Sequence, residues 1–259
     1  MASKEYNERL KEYYNKFSED KRLTRRHGQV EYLTSMHYIH ECLMEFNNPS
    51  VLDIGAGTGR YSCALHEEGY DVTAVELFRC NINVLKQHND QIEVYEGNAL
   101  ELSFIPDESY DVVLLFGPLY HLHSDEDCFR AMDEAKRVCR KGGYVLVAYV
   151  MNDYGIITHL FKEGHYESLD HVDEDYHIKA DESELYHMVR IEDIDRYKEH
   201  SGMVRKLIFA ADGAADYLRP VLNSMDDEQF EVFCDYHLKN CERAELLGAS
   251  SHVVDILMK

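Results

Sequence analysis

From residue 50 onward the chain alternates short apolar runs with amphipathic segments, the sign of a parallel sheet built from β-α-β units. Residues 51–54 read as a first strand, 60–68 as its helix, 71–76 as a second strand and 79–87 as the next helix. A third strand is expected at 92–96, a fourth at 111–116, a helix at 125–139 and a fifth strand at 144–150 after the Gly142-Gly143 turn. The fourth and fifth runs are nearly all apolar, as strands covered on both faces are. Before residue 50 the pattern predicts two helices, 4–18 and 27–46, lying along one edge of the sheet. After residue 150 the rhythm breaks and then returns, with a helix at 192–200, a strand at 206–211, a helix at 226–244 and a last strand at 252–258.

The expectation is therefore one α/β domain over residues 1–259. It has a Rossmann-like, doubly wound sheet of seven strands, helices on both faces and an antiparallel last strand. Residues 1–48 form a helical cover, 50–150 a ligand-binding core, 152–190 a cap insertion and 191–259 the returning strands and helices. The cap is distinctive in charge: between Glu167 and Glu184 eight acids stand against the single base Lys179. It reads as a solvated insert, or as a lid whose carboxylates favour a cationic ligand.

Composition narrows the function classes. With 27 basic against 49 acidic side chains, net −22, the surface repels a nucleic-acid backbone. The N-terminus has no apolar signal region, and no apolar run is long enough to span a bilayer. Seven cysteines, odd in number and never in a Cys-x-x-Cys pair, argue against a disulfide framework or zinc site and suit a reducing cytoplasm.

The chemistry starts at Asp53-Ile54-Gly55-Ala56-Gly57-Thr58-Gly59, a strand end passing through glycines into a helix. Such a turn allows close ligand approach and points amide groups and a positive helix end at it. A dinucleotide fingerprint would require a small residue where Arg60 stands, which counts against a nicotinamide-dependent oxidoreductase. Glu76, ending the second strand, is placed to accept hydrogen bonds from both hydroxyls of a ribose. Beyond the fourth strand, Phe116-Gly117-Pro118-Leu119-Tyr120-His121 occupies the carboxyl-end crevice where open α/β sheets bind ligands. There Tyr120 and His121 are the candidates to orient an acceptor or remove its proton. His121 and His123 form a His-x-His pair and His165, His171, His177 and His187 lie in the cap, but no third ligand follows at metal-site spacing, so no metal is expected.

Val51 to Ser62, Ala74-Val75-Glu76, Glu96-Gly97-Asn98-Ala99-Leu100 and Arg137 to Val147 together resemble the successive motifs of class I S-adenosylmethionine-dependent methyltransferases. Arg26-His27-Gly28-Gln29-Val30-Glu31-Tyr32 and Gly117-Pro118-Leu119-Tyr120-His121-Leu122 resemble a bacterial small-molecule group within them, similar to methyltransferase domains 11 and 25. The resemblance implies S-adenosylmethionine as cofactor. Its methionine part would lie over Gly55, Ala56, Gly57 and Gly59, its ribose on Glu76, and its adenine between Leu77 and Asn98-Ala99-Leu100, with Phe116 and Gly117 beside the reacting end. Tyr14 is a further candidate to line the pocket, chosen among Tyr13, Tyr14, Tyr149 and Tyr154. Asn98 departs from the aspartate common in the family. The implied activity is in-line methyl transfer to a small molecule by a monomer or homodimer, with no nucleic-acid or membrane partner; a binding protein that has lost turnover is the alternative.

Overall fold

The computed structural model describes residues 4–16 and 25–259. Helix α1 (Lys4–Lys16) and helix α2 (Arg26–Leu43) precede β1 (Ser50–Ile54), α3 (Arg60–Glu67), β2 (Asp71–Glu76), α4 (Arg79–His88), β3 (Glu93–Glu96) and β4 (Tyr110–Leu115). A 3-10 turn (Pro118–His121), α5 (Asp125–Val138) and β5 (Cys139–Met151) follow, then α6 (Asn152–Gly155), which continues as a π-helix (Ile156–Lys162). After a 3-10 turn at Tyr166–His171 come β6 (Met188–Val189), α7 (Ile191–Ser201), β7 (Val204–Ala210), α8 (Arg219–Ser224), α9 (Asp227–Leu238), α10 (Ala244–Leu247) and β8 (His252–Met258).

The strands form one sheet in the order β3-β2-β1-β4-β5-β8-β7, with β6 paired to β5 off that path. β8 runs antiparallel to both β5 and β7, and the other pairings are parallel. Every residue of β1 is buried, as are Val112 to Leu115 of β4 and Tyr144 to Met151 of β5, so the apolar runs are central strands covered on both faces. Order in the sheet reverses between β1 and β4, and that switch point opens the crevice in which doubly wound sheets bind ligands.

The architecture is the expected α/β sheet, with four differences. There are eight strands rather than seven, because the two residues of β6 extend beside Val150 and Met151, too short a stretch to show a period of two. Helix α2 lies on a face rather than along an edge: Ile39, Cys42 and Leu43 are fully buried, and the Tyr38 ring stacks on Phe209 of β7 at 4.1 Å. The helix expected over 226–244 ends at Leu238, where the turn that follows brings the Cys241 carbonyl 2.8 Å from the Ala210 N–H and joins the end of β7. The region 152–190 is tied down rather than free-standing. Asn152 holds both the Tyr176 carbonyl and the Ile178 N–H, and cap histidines pair with acids, His165 with Glu167 and His171 with Glu184.

Away from the crevice, β7 and β8 are joined by an ion pair. Arg205 donates to both oxygens of the fully buried Asp255 at 2.7 Å and to Asp195 at 2.6 Å. Burial pushes the Asp255 carboxyl up, and the guanidinium opposes that shift.

Candidate active site

A cavity of about 520 Å³ opens at the carboxyl ends of β1, β2, β4 and β5. The glycine turn forms one wall. Gly55, Gly57 and Gly59 all have positive φ, +82°, +56° and +88°, which L side chains rarely adopt. Their roles differ. A Cβ on Gly55 would sit 2.6 Å from the Pro118 ring, so Gly55 lets the segment after β4 close over the turn. A Cβ on Gly59 would sit 2.6 Å from Leu85, so this buried glycine serves the packing of α3 on α4 and does not line the cavity. A Cβ on Gly57 meets nothing within 4 Å, so the open space above it belongs to the cavity.

The turn's amides face inward, contrary to the expectation that they point at a ligand. Gly55 and Ala56 both donate to the Val75 carbonyl (2.8 and 3.1 Å), Gly59 donates to Ala56, and Gly57 donates to the Glu76 carboxylate at 2.9 Å. The turn therefore offers a ligand the absence of side chains rather than donors at these positions.

Glu76 is 5% exposed and lines the cavity. One carboxylate oxygen accepts the Gly57 N–H; the other accepts the Phe78 N–H at 2.9 Å and the Asn81 side-chain amide at 3.1 Å. Burial pushes its carboxyl above the usual range, and these hydrogen bonds oppose the shift. Asp53, buried beneath, accepts from the Ser62 hydroxyl at 2.5 Å, and burial pushes it up to about 6.

Leu77, Asn98, Ala99 and Leu100 form the rim, with Leu77 and Asn98 exposed. The Asn98 side-chain oxygen accepts the Leu100 N–H at 3.0 Å, so it shapes its own turn. Phe116, edge-on to Tyr61 at 5.3 Å, and Gly117 carry the wall toward the deeper end. Tyr120 and His121 line that end. The His121 ring nitrogen Nδ1 is 3.1 Å from the Leu185 carbonyl, and burial drives its pKa down to about 4, leaving a neutral imidazole near pH 7. The neighbouring His123 lies against His187 and the Tyr6 ring.

Helix α1 and the end of the cap close the mouth together. Tyr6 donates to the Leu185 carbonyl at 2.9 Å, Arg9 to the Glu182 and Glu184 carbonyls, and Tyr186 to the Tyr13 hydroxyl at 2.8 Å. Tyr6, Tyr13 and Tyr186 line the cavity. The Tyr14 side chain lies outside the described residues, and Tyr149 is buried in the core rather than on the wall.

Sequence reasoning missed a group at the deep end. His252, the first residue of β8, places Nδ1 2.9 Å from Asp212 and 3.5 Å from Glu31. His252 and Glu31 line the cavity, and the Tyr120 ring centre is 5.9 Å from that of His252. Asp212 lies after β7, so three residues distant in sequence meet only through the sheet order. The signal available was Glu31 within the His-Gly-Gln-Val-Glu-Tyr phrase, which gave no hint of its partners.

Comparison with known proteins finds likeness in sequence and in fold. Residues 52–147 match the methyltransferase domain family. Over 93 residues the chain is 38% identical to an uncharacterized methyltransferase of Mycobacterium tuberculosis, a match covering 36% of each protein. It is 33% identical over 98 residues to a demethylmenaquinone methyltransferase of Renibacterium salmoninarum, covering 38% of this chain and 40% of that one. The matched segment is thus well under half the length of these curated relatives. A solved SAM-dependent methyltransferase of Archaeoglobus fulgidus superposes over 89% of this chain and 94% of its own, with TM-score 0.54 at 19% identity. Residues 52–147 are thus similar to a methyltransferase domain, and the fold is that of solved S-adenosylmethionine-dependent methyltransferases.

Proposed function

We propose that this protein is a methyltransferase that binds S-adenosylmethionine along the glycine turn and Glu76 and transfers its methyl group in line to a small-molecule acceptor at the deep end of the cavity. The observation that carries the reading is the pairing of open space above Gly57 with the buried Glu76 carboxylate beside it, a side-chain-free floor next to a ribose acceptor. The residues present fit the cofactor: Gly55, Ala56 and Gly57 would underlie its methionine part, Glu76 would take the ribose hydroxyls, and Leu77 with Asn98, Ala99 and Leu100 would flank the adenine. Gly59 supports this set through helix packing. Once bound, the cofactor supplies an electrophilic methyl group on a sulfonium.

The protein's own task is positioning and exclusion of water. Phe116, Gly117 and Tyr120 form the wall between the two ends, and the aromatic mouth of Tyr6, Tyr13 and Tyr186 limits the acceptor to a small molecule. His121, neutral and anchored on Leu185, would orient that acceptor. An acidic surface of net charge −22 disfavours nucleic acid as acceptor. Seven free thiols support a cytoplasmic setting, and no helix among the described residues is long and apolar enough to cross a membrane. The test is calorimetric titration with S-adenosylhomocysteine, followed by methyl transfer to a metabolite library. No binding at millimolar ligand would refute the reading, and binding without transfer to any member would favour a binding protein.

A further inference from the structure

The Glu76 carboxylate is held by main-chain donors and by one side chain, Asn81, to which the cofactor reading gives no role. Gly57 donates its N–H to Oε2 and Phe78 donates to Oε1, bonds that follow from the path of the backbone alone. The Asn81 amide donates to the same Oε1 at 3.1 Å from the first turn of α4. Side chains of a helix lean toward its N-terminus, which brings a first-turn residue of α4 onto the end of β2. Asn81 is 7% exposed and lines the cavity with Glu76. Its backbone N–H donates to the Phe78 carbonyl at 3.0 Å and its side-chain oxygen faces the Cys80 thiol at 3.9 Å, so the amide nitrogen is the end turned to Glu76.

A carboxylate taken out of water depends on its donors. Burial pushes the Glu76 carboxyl above its ordinary range, and the N–H groups of Phe78, Gly57 and Leu77 together with the Asn81 amide oppose that shift. The charged groups on the neighbouring elements are differently engaged. Asp53, at the end of β1, is a second buried carboxyl, and the Glu76 charge adds to its upward shift. Arg79 of α4 pairs with Glu96 of β3 at 2.7 Å on the surface, and Arg60 of α3 lies over the Tyr32 ring at 4.2 Å. Among the described residues Glu76 is thus held by hydrogen-bond donors and not by an ion pair, and Asn81 supplies the side-chain donor.

Taking the methyltransferase reading as its basis, we infer that Asn81 is a positioning residue of the cofactor site: its amide holds the Glu76 carboxylate in the ionised form and the orientation in which it accepts the ribose hydroxyls. With Phe78 and Asn81 on one oxygen and Gly57 on the other, the carboxylate is fixed from both sides, and the ribose meets an acceptor that is already organised. Asn81 acts through Glu76 and needs no contact with the cofactor. Loss of the amide removes a donor from a buried charge and so favours the protonated acid, a weaker acceptor for a hydroxyl. Affinity that depends on ionised Glu76 falls as pH drops through its titration, and without the amide that fall begins at higher pH.

The test is calorimetric titration of S-adenosylhomocysteine and its 2′,3′-dideoxy analogue into the full chain and into two variants, Asn81→Leu and Asn81→Asp, each checked for folding by circular dichroism. The wild type should prefer the parent ligand at least about tenfold at pH 7. Asn81→Leu should bind the parent ligand about tenfold more weakly and the analogue within threefold of wild type, so that the preference collapses. Asn81→Asp, which sets a second carboxyl against Oε1, should lose at least as much. From about pH 5 to 8.5 the affinity of Asn81→Leu for the parent ligand should begin to fall at higher pH than that of the wild type; Asp53 and the ligand's own groups titrate in both proteins and cancel in the comparison. A ribose preference kept in Asn81→Leu, or an affinity loss equal at every pH, would overturn the inference and leave Asn81 a packing residue. No binding of S-adenosylhomocysteine by the wild type would refute the methyltransferase reading instead. The Asn81–Glu76 bond is then tested alone by 13C titration of the Glu76 carboxyl in the unliganded protein, where an inflection unchanged in Asn81→Leu would overturn it and one moved to higher pH would support it.

Discussion

The Gly57 N–H donates to the Glu76 carboxylate at 2.9 Å, joining the turn after β1 to the end of β2. This bond fixes the floor and the ribose partner of the proposed cofactor site relative to each other, so damage to either should be felt at both. Gly57→Val places a branched side chain at φ +56° and in the space above the turn. Calorimetry should register at least about a 100-fold loss of S-adenosylhomocysteine affinity, about 2.7 kcal/mol.

Asn98 gives a gain-of-affinity prediction. Its side-chain oxygen already accepts the Leu100 N–H, and an aspartate would keep that bond while adding charge toward an adenine amino group. Asn98→Asp should tighten S-adenosylhomocysteine binding by roughly fivefold to tenfold, and Asn98→Ala should weaken it, both by titration.

The Arg205–Asp255 pair should matter for stability and not for the cofactor. Removing the guanidinium leaves a carboxylate that is 0% exposed without its bidentate partner. Arg205→Met should cost about 3–5 kcal/mol in chemical denaturation, with S-adenosylhomocysteine affinity of the folded protein unchanged.

Acid stability should report the buried imidazoles. Burial drives His121 and His123 down to about 4, against an ordinary value near 6.5, so the folded state binds fewer protons than the unfolded state between those limits. Their contribution is complete above pH 6.5 and is lost as pH falls toward 4, at up to about 1.4 kcal/mol per pH unit for each proton. Asp53, pushed up to about 6, has the opposite sign: its contribution is present at low pH and lost as pH rises through 6. Denaturation curves from pH 4.5 to 7 should therefore flatten on the acid side in His121→Asn and steepen in Asp53→Asn.

Much of this fold was legible because a parallel core leaves strong marks: continuous apolar strands at 112–115 and 144–151, glycines where φ is positive, and an acid at the end of β2. What escaped was set by tertiary contacts. Gly59 looked like its neighbours Gly55 and Gly57, and only the position of Leu85 shows that it serves helix packing. The inward direction of the turn's amides depends on the Val75 carbonyl and Glu76, which no spacing reveals. The Glu31, Asp212 and His252 group draws on α2, the loop after β7 and the start of β8, and no local pattern links them.

The central claim, that the Gly57–Glu76 corner is a cofactor site, is tested most directly by titrating S-adenosylhomocysteine into the wild type and Glu76→Ala side by side. The account predicts saturable one-to-one binding by the wild type and its loss, by at least about 100-fold, in a variant that remains folded by circular dichroism. Equal affinity in the two proteins, or no binding by the wild type at millimolar ligand, would contradict it.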